Sequence, residues 1–305
     1  MQVVRTMPEM FPKPCVATIG FFDGVHCGHR FLIKQVCEAA TERGYASTVV
    51  TFPTHPRKVM QADFCPRLLT TYEEKIDLLG ETGLDYCMIL DFTLEVATLS
   101  AREFMAFLQK HYNIQALVVG YDHRFGHNRS EGFADYVNYG KELGMEVLLA
   151  QAYLDKSIAV SSSGIRNLLL SGDVSEAAIR LGYDYFLDGT VITGYRVGRT
   201  IGFPTANLRV DNADKLLPSD GVYAVRVTVG GKVYSGMLDI GTRPTFDNGG
   251  KHSIEVHILH FHADIYGEVI RLSFVRYIRP DIKFASVDEL IAQLHKDAKT
   301  VEGIL

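Results

Sequence analysis

The chain has 305 residues, of which 47% are hydrophobic, which is enough for a substantial core and for about two domains. Its 36 acidic and 31 basic residues give a net charge of −5, so we expect no nucleic-acid partner, although a local phosphate pocket is compatible with this balance. No run reaches the roughly 18 apolar residues of a membrane span, and the N-terminus lacks a signal-peptide core. Five cysteines, an odd number without a Cys-x-x-Cys pair, indicate reduced thiols. We therefore predict a cytoplasmic protein that does not associate with membranes.

Short apolar runs alternate with helical patterns in the first half, which predicts an open parallel α/β sheet. In such sheets, ligands bind beyond the carboxyl ends of the strands. Histidines and charged residues lie at these points, so we expect one crevice to contain His26 and His29, His55, and the segment with Asp122 and Arg124. The predicted elements, in chain order, are strand 15–20, helix 28–43, strand 46–52, helix 71–81, strand 86–92, helix 101–112, strand 116–120, helix 131–144 and strand 146–150.

The most informative motif joins the first predicted strand to the first helix. It reads Thr18-Ile-Gly20-Phe-Phe22-Asp23-Gly24-Val-His26-Cys-Gly28-His29. Backbone N–H groups and the helix dipole attract phosphate at such a point, and Gly28 would let a nucleotide approach the backbone closely. A nucleotide-phosphate site is the favoured interpretation. The alternatives are a structural turn and a metal site, and the metal site is disfavoured because no fourth ligand has the usual spacing.

Two histidines beside a phosphate suit nucleotidyl transfer, in which a phosphate oxygen attacks the α-phosphorus of ATP and pyrophosphate leaves. The nucleophile is already an anion, so the site must align the reactants and hold charge rather than remove a proton. His26 and His29 would hydrogen-bond these oxygens. Arg166, in the run Ser161-Ser162-Ser163-Gly-Ile-Arg166, could close over the β- and γ-phosphates; the alternative is an arginine on a helix surface.

Two short helical stretches, 167–170 and 173–181, connect this half to a region of β-type alternation. Strands are predicted over 189–193, 221–229, 232–240, 253–261 and 269–278, with a tight hairpin at 229–232. A closed or Greek-key barrel fits this pattern best. Ser286, with Glu289 three residues later, predicts the start of a terminal amphipathic helix that packs on the barrel.

A glycine-rich, basic loop runs from Gly194 into a Pro-Thr-Ala-Asn turn. Its glycines expose backbone N–H groups to phosphates, and the Thr205 hydroxyl and Asn207 carbonyl are hard oxygen ligands that suit Mg²⁺. An ordinary barrel loop is the alternative. The residues predicted to bind nucleotide here are Gly198, Arg199, Gly202 and Pro204.

Glu255 and His257 lie on one face of a predicted strand, with Val256 and Ile258 on the other. Phosphorylation of an alcohol requires a group that accepts the hydroxyl proton, and Glu255 is the candidate base. The alternatives are an ion pair with a barrel arginine and a metal pair formed with His257.

These motifs resemble, over residues 15–181, the adenylyltransferase module of the bacterial bifunctional riboflavin kinase/FAD synthetases, and over 183–305 the riboflavin kinase module of the same family. The resemblance rests on residues 18–29, 51–56, 118–126 and 161–166, then on 198–207, 217–223, 240–246, 254–257 and 264–267. It implies a Rossmann-like nucleotidyltransferase domain over 1–182 and a six-stranded Greek-key split β-barrel with a terminal helix over 183–305.

By this resemblance, His26 and His29 belong to the ATP-binding signature, with Gly20, Phe22, Asp23, Gly24 and Gly28 around them. His55, Asp122 and Arg124 lie near the flavin, and Ser162, Ser163 and Arg166 form a closing phosphate loop. Thr205 and Asn207 hold Mg²⁺ and ATP phosphates, and Glu255 activates the 5′-hydroxyl of riboflavin. The expected ligands are riboflavin, FMN, ATP and Mg²⁺, and the expected product is FAD; the oligomeric state is left open.

Four positions depart from the family pattern. Phe21 stands where Asn is usual, Pro53 where Glu or Asp is usual, Ser163 where Thr is usual, and Asp239 where Asn is usual. Phe21 keeps a second hypothesis open, a flavin-sensing or scaffold protein with one inactive module. A third hypothesis, an adenylyltransferase for another phosphorylated acceptor, is disfavoured because the kinase half would make the phosphate that the first half consumes.

Overall fold

The computed structural model describes residues 1–5, 11–61, 63, 67–120, 123–127, 130–155, 158–194, 197–242 and 252–305. These residues form two compact units, Met1–Ser162 and Ser163–Leu305. The boundary predicted from sequence, between residues 182 and 183, stays a prediction. Within the described residues, no helix is both long and apolar enough to span a membrane.

The first unit alternates strands and helices. Apolar strands such as Cys15–Ile19 and Ala46–Thr51 are buried along their whole length, as expected of a parallel sheet covered on both faces. The elements are β1 (Gln2–Val4), β2 (Cys15–Ile19), α1 (Cys27–Arg43), β3 (Ala46–Thr51), α2 (Pro56–Met60), α3 (Tyr72–Gly80), β4 (Tyr86–Ile89), α4 (Leu94–Thr98), α5 (Ala101–Tyr112), β5 (Ile114–Val119), α6 (Phe133–Leu143), β6 (Glu146–Leu149), β7 (Leu154–Asp155) and β8 (Ile158–Ala159).

The main sheet of this unit has the strand order β1-β4-β3-β2-β5-β6, and each pair of neighbours is parallel. The chain moves outward from β2 to β3 and β4, and then returns to place β5 on the other side of β2. The strand order therefore reverses beside β2, and ligands of open α/β sheets bind outside the carboxyl ends of the strands at such a point. The loop with both histidines follows β2 and so lies at this switch point.

The second unit contains two short helices followed by an antiparallel barrel. Hydrogen bonds from Ser219 N to Leu169 O (3.1 Å) and from Ser175 Oγ to Val275 O (2.9 Å) attach these helices to the barrel. The elements are α7 (Ser162–Leu170, beginning at the last residue of the first unit), α8 (Val174–Leu181), β9 (Phe186–Ile192), α9 (Val197–Thr200), β10 (Ala206–Arg209), β11 (Gly221–Val229), β12 (Lys232–Thr242), β13 (His252–Ile258), β14 (Val269–Arg279) and α10 (Val287–Ile304).

The barrel is closed, with six strands in the order β10-β13-β12-β11-β14-β9. Tyr223, Leu238 and Val256 are fully buried and alternate along their strands with residues of the outer face. Part of that outer face is covered by α10: Val301 packs with Ala224 and Met237 in one apolar cluster. The predicted barrel, terminal helix and Ser286 N-cap are all confirmed, since the Ser286 side chain accepts the Glu289 N–H.

The predicted elements match the structure in kind, but several short elements were not predicted, among them α2, α4, β7, β8 and α9. Strand β1 was not predicted, because three residues carry no usable periodicity. The Pro-Thr-Ala-Asn turn continues into a sixth barrel strand, β10, where only a loop was expected. Helix α10 runs from Val287 to Ile304, and only its start was predicted.

Candidate active sites

The histidine loop at the end of β2 has an unusual backbone. Phe22 and Val25 adopt positive φ angles of 56° and 35°, and Gly24 lies at 81°. Positive φ in a β-branched residue such as Val25 is strained, and such strain concentrates at functional loops. His26 then caps α1: its Nδ1 accepts the His29 N–H at 3.3 Å, and the two rings stack with centroids 3.6 Å apart. The structure thus brings the predicted histidines together at a helix start.

His29 is the better placed of the two histidines to meet a ligand. Burial holds the pKa of its imidazole well below the usual value, and His26 and Lys75 lower it further. The ring is therefore neutral at pH 7. Its buried Nδ1 atom has no hydrogen-bond partner among the described residues. A buried polar atom without a partner is costly, and a ligand oxygen would satisfy it.

The Asp23 carboxylate holds the loop itself. The side chain is 3% exposed, and its oxygens accept the backbone N–H groups of Leu69 (2.9 and 3.1 Å) and Thr70 (3.1 Å). Thr70 in turn accepts the Gly24 N–H through its hydroxyl at 3.1 Å. Asp23 therefore stabilises the conformation of the loop, because its carboxylate accepts hydrogen bonds from backbone N–H groups.

The glycines of the loop are required by protein contacts. A Cβ atom on Gly28 would lie 3.2 Å from the His26 ring and 3.4 Å from the Val160 carbonyl oxygen, and one on Gly20 would lie 3.1 Å from the Phe22 ring. A side chain at position 28 would therefore press on the His26 ring and on Val160, while the approach of a nucleotide to the Gly28 backbone stays a prediction. Gly28 permits the histidine packing.

The Ser161–Arg166 segment meets the histidine loop through its first hydroxyl: Ser162 Oγ donates to Asp23 O at 3.0 Å. One turn along α7, Ser163 Oγ lies 3.5 Å from the Arg166 guanidinium. The structure thus places Ser162 beside the histidine loop, and its role at a phosphate stays a prediction. Ser163 and Arg166 belong to the second unit.

His55 and Arg124 follow two other strands of the sheet. His55 caps α2 by accepting the Arg57 N–H at 3.1 Å, and its ring lies edge-on to Phe21 with centroids 4.7 Å apart. The exposed Arg124 packs on Gly132, where an added Cβ would lie 2.7 Å from the guanidinium. Asp122 lies outside the described residues. Phe21 thus fills space beside His55 instead of offering a polar group, and nothing in the structure explains Pro53.

A row of oxygen-bearing side chains crosses the outer face of the barrel. Asn207 on β10 is the register partner of Glu255 on β13, and Glu255 is the partner of Asp239 on β12. Register partners lie on the same face of a sheet with Cβ atoms about 5 Å apart. His257 lies on this face as well, as predicted, while Val256 is fully buried and Ile258 nearly so on the other.

The Pro-Thr-Ala-Asn turn is held against this row. Thr205 Oγ1 donates to Glu255 Oε2 at 3.2 Å, and His257 Nδ1 donates to the Pro204 carbonyl at 2.8 Å. A Cβ on Gly194 would lie 2.3 Å from Asn207 Nδ2, so glycine is needed there for close packing. The predicted base and the two predicted metal ligands are therefore assembled on neighbouring strands.

The glycine-rich loop closes back on itself ahead of this turn. Phe203 N donates to Gly198 O at 2.8 Å, an added Cβ on Gly198 would lie 2.2 Å from Phe203 O, and Gly202 has a positive φ of 85°. A cleft of about 350 Å³ opens beside it. The cleft is lined by Val191, Arg199, Pro204, Thr205, Ala206, Val256, Ile258 and residues 261–266. Arg199, Pro204 and Thr205 thus border one cavity, and their predicted roles toward nucleotide and metal stay predictions.

Asp239 forms a carboxyl pair that the sequence did not indicate. A Cβ on Gly241 would lie 2.8 Å from Asp281 Oδ2 and 3.9 Å from Asp239 Oδ2, so the two carboxyl groups face the same point. Burial, and then the Asp281 carboxyl, raise the pKa of Asp239 to about 7. The family's usual Asn is thus replaced by a carboxyl group that is partly protonated at neutral pH.

The zinc and Glu/His metal alternatives gain no support. In the part of the chain that the structure describes, no group of three or more His, Cys, Asp and Glu side chains could hold a metal ion. The Thr205 hydroxyl and the Asn207 amide oxygen are not among these residue types, so they are considered separately. Because the Thr205 hydroxyl gives its proton to Glu255, its lone pairs can face a cation, and the surrounding donors are the hard oxygens that Mg²⁺ prefers.

Lys75 was not singled out from the sequence, although a signal was present. It lies on the same face of α3 as Leu78 and Leu79, and is buried with them. A charged residue on the apolar stripe of a helix requires partners.

A histidine loop at the switch point of a parallel sheet, and a carboxylate beside a hydroxyl and an amide on a barrel, are the arrangement expected of a two-part phosphoryl- and nucleotidyl-transferring enzyme. Comparison with known proteins identifies the family. The FAD synthetase family model matches residues 9–164, and the riboflavin kinase family model matches residues 181–305. The chain belongs to the bifunctional riboflavin kinase/FMN adenylyltransferase family.

Individual relatives agree over nearly the whole chain. The bifunctional riboflavin kinase/FMN adenylyltransferase of Listeria monocytogenes is 39% identical over 283 residues, covering 92% of this chain and 90% of that protein. The Escherichia coli K12 protein of the same name is 36% identical, covering 98% and 96%. A crystal structure titled as a macrolide-efflux protein from Streptococcus pneumoniae is 32% identical, with a TM-score of 0.91 and 99% coverage of both chains.

Proposed function

We propose that the barrel unit phosphorylates riboflavin with ATP to give FMN and ADP, and that the α/β unit then transfers the adenylyl group of ATP to FMN, giving FAD and pyrophosphate. We assign residues 1–182 to the adenylyltransferase and 183–305 to the kinase. The two family models match the chain in this order.

In adenylyl transfer, a phosphate oxygen of FMN forms a bond to the α-phosphorus of ATP while the bond to the pyrophosphate oxygen breaks. No proton has to be removed, so the chain's task is alignment and charge stabilisation. Neutral His29 would donate a hydrogen bond to a phosphate oxygen, and its partnerless Nδ1 is the observation that carries this assignment. His26 orients that ring by stacking and caps the helix whose N-terminus faces the phosphates.

The other predicted residues of this unit divide into two groups. Gly20, Phe22, Gly24 and Gly28 shape the loop, with Asp23 as its anchor to residues 69 and 70. Ser162 would approach the phosphates, and His55 and Arg124 would border the flavin; the roles of Ser163, Arg166 and Asp122 stay predictions from the sequence.

In the kinase reaction, Glu255 would accept the proton of the riboflavin 5′-hydroxyl while that oxygen attacks the γ-phosphorus of ATP and ADP leaves. An alcohol is neutral and requires such a base. Thr205 fixes the carboxylate with a hydrogen bond. Backbone N–H groups of Gly198, Arg199 and Gly202 would hold the ATP phosphates, with Pro204, which has no N–H, beside them.

We assign Thr205 and Asn207 as the residues that would hold Mg²⁺, because a hydroxyl and an amide oxygen adjoin the candidate base. When bound, Mg²⁺ would offset the phosphate charge.

A cytoplasmic location is also proposed, because Cys15 and Cys87 are free buried thiols. Burial raises the pKa of Cys15 to about 11 and that of Cys87 to about 12.

The test is to incubate the protein with riboflavin, ATP and Mg²⁺ and to separate FMN from FAD by chromatography. His29→Ala is expected to stop FAD formation and to leave FMN formation intact. Glu255→Gln is expected to slow FMN formation by roughly 10²–10⁴-fold, the usual contribution of a general base, while FAD still forms from added FMN.

Three outcomes would contradict this scheme. Formation of FMN alone by the unmodified protein would show an inactive adenylyltransferase, and formation of neither product would favour a flavin-binding protein. Loss of both activities in both folded variants would rule out separate sites.

A further inference from the structure

The ammonium group of Lys75 is buried at the carboxyl end of the parallel sheet, with the residue only 2% exposed. It donates to three oxygens: Phe52 O at 2.7 Å, Phe21 O at 3.1 Å and Thr51 Oγ1 at 3.3 Å. An ammonium carries three N–H donors, so this set uses all of them. Lys75 is therefore a fully hydrogen-bonded buried cation.

The three acceptors belong to the two chain segments that carry the candidate histidines. Phe21 lies just beyond β2, at the start of the loop that leads to His26 and His29. Thr51 ends β3, and Phe52 begins the segment that leads to His55. Thr51 Oγ1 also lies 3.2 Å from Phe21 O, so one cluster of hydrogen bonds fixes where both segments leave the sheet.

The charge of Lys75 also acts on Phe21 and His29, which lie in the loop after β2 and at the start of α1. Its Nζ lies 4.1 Å from the centre of the Phe21 ring, and that ring contacts His55. Lys75 contributes to the lowered pKa of His29. ATP and FMN both bring phosphates to this edge of the sheet, and a fixed cation attracts anions more strongly in a region from which water is excluded.

We propose that Lys75 is a positioning residue of the adenylyl-transfer site. Its charged ammonium fixes the two histidine-bearing segments relative to each other and favours phosphate binding, and it does not contact the substrate. This inference rests on the proposed function of the first unit. An apolar residue would pack in the same place, but it would take from the Phe52 carbonyl its ammonium donor, leave the Phe21 carbonyl with the Thr51 hydroxyl, and remove the charge.

The inference gives a pH signature. Burial lowers the pKa of Lys75 to about 8, so the ammonium is lost in mildly alkaline solution. The titratable groups around it are Asp23 from the loop after β2, Cys87 on β4, His29 on α1 and Tyr72 on its own helix. Burial raises the pKa of Cys87 to about 12 and lowers that of His29 well below its usual value, so neither titrates near pH 8.

The test compares the full-length protein with Lys75→Met and with Lys34→Met, a control that removes an exposed lysine of α1. FAD formation from FMN and ATP is measured from pH 6 to 10, and riboflavin phosphorylation reports on the other unit. The affinity for ATP is measured by calorimetry with one ATP site fitted for each unit, and the affinity of the adenylyl-transfer site is the one compared. We expect Lys75→Met to lower kcat/KM for ATP and the ATP affinity by about tenfold or more, to abolish the decline near pH 8, and to spare riboflavin phosphorylation. Lys34→Met should match the unmodified protein.

Thr51→Val provides the second variant, because it removes one acceptor with little change in shape and remains informative if Lys75→Met does not fold. The ammonium is then less stabilised, so the alkaline decline should move to lower pH. ATP affinity within twofold of the unmodified protein in Lys75→Met, or a decline that stays in place in Thr51→Val, would overturn the inference. Absence of FAD formation by the unmodified protein would instead contradict the proposed function, and the ATP affinities would still decide the role of Lys75.

Discussion

Several side chains of this protein have ionisation states set by burial rather than by their residue type. His29 is neutral because it is buried beside another imidazole, and Asp239 retains a proton near neutral pH because it is buried beside Asp281. Both states suit sites that handle anionic phosphates: a neutral imidazole donates a hydrogen bond without requiring a counter-ion, and a protonated carboxyl does not repel phosphate.

The Asp239 carboxyl group should make the stability of the barrel depend on pH. Its folded pKa, about 7, lies above the unfolded value of roughly 4, so the folded state binds more protons between these values and stability falls as pH rises through that window. Asp239→Asn should therefore raise the free energy of unfolding relative to the unmodified protein by more than about 1 kcal/mol at pH 8, and by much less at pH 4.5.

Urea unfolding followed by circular dichroism at both pH values measures this difference. Asp211→Asn, which removes an exposed carboxylate of the same unit, is the control and should show no such change between the two pH values. An equal effect of Asp239→Asn at both values would contradict the raised pKa.

Helix α10 is attached to the barrel by an apolar cluster and by one buried ion pair. Asp297 is 2% exposed and accepts from the Arg279 guanidinium at 2.8 and 2.9 Å, while Gln293 Nε2 donates to its other oxygen at 2.7 Å. Such a pair is specific in geometry, and its removal from one side leaves a buried charge. The attachment of α10 therefore depends on both partners.

Arg279→Met should destabilise the second unit by about 3 kcal/mol or more, because it leaves the Asp297 carboxylate buried without its cation. The double variant Arg279→Met/Asp297→Leu should recover most of that loss. Arg209→Met, which breaks an exposed pair in the same unit, should cost less than about 1 kcal/mol. Thermal unfolding midpoints of the three variants measure this order, and equal midpoints for Arg279→Met and Arg209→Met would refute it.

The elements that the sequence predicts well are those with strong periodicity or explicit caps. The alternation around α1 and α5, the Ser286 cap of α10 and the two glycines at 230 and 231 in the hairpin each specify their local structure. Cross-strand neighbours could not be predicted, because register depends on the whole barrel. The contact between Asp239 and Asp281 and the three acceptors of Lys75 were missed as well, because both join residues far apart in the sequence through tertiary packing. Glu255 could be predicted from strand alternation and from the family resemblance.

At the scale of the whole molecule, the two units impose opposite requirements on their acceptors. One reaction uses an acceptor that is already an anion, and the other uses an alcohol that must lose a proton. The candidate groups follow this division, with neutral His29 in the first unit and the Glu255 carboxylate in the second. Each unit should therefore act without chemical help from the other.

Separate sites predict complementation between defective chains. A mixture of the His29→Ala and Glu255→Gln proteins should form FAD from riboflavin and ATP, because the first variant supplies FMN and the second consumes it. Neither variant alone should form FAD at a comparable rate, and chromatography of the products over time measures this. Failure of the mixture, when each variant retains its own reaction, would mean that FMN is not released between the steps.

Closure of the barrel also affects how this protein behaves in concentrated solution. Each of the six described barrel strands pairs with a neighbour on both sides over at least part of its length, so the barrel has no free edge strand to offer to another molecule. In the parallel sheet, only β1 and β6 form the margins, and they have three and four residues. Edge strands this short are poor templates for pairing with a strand of another molecule. Aggregation by intermolecular strand pairing should therefore require prior unfolding.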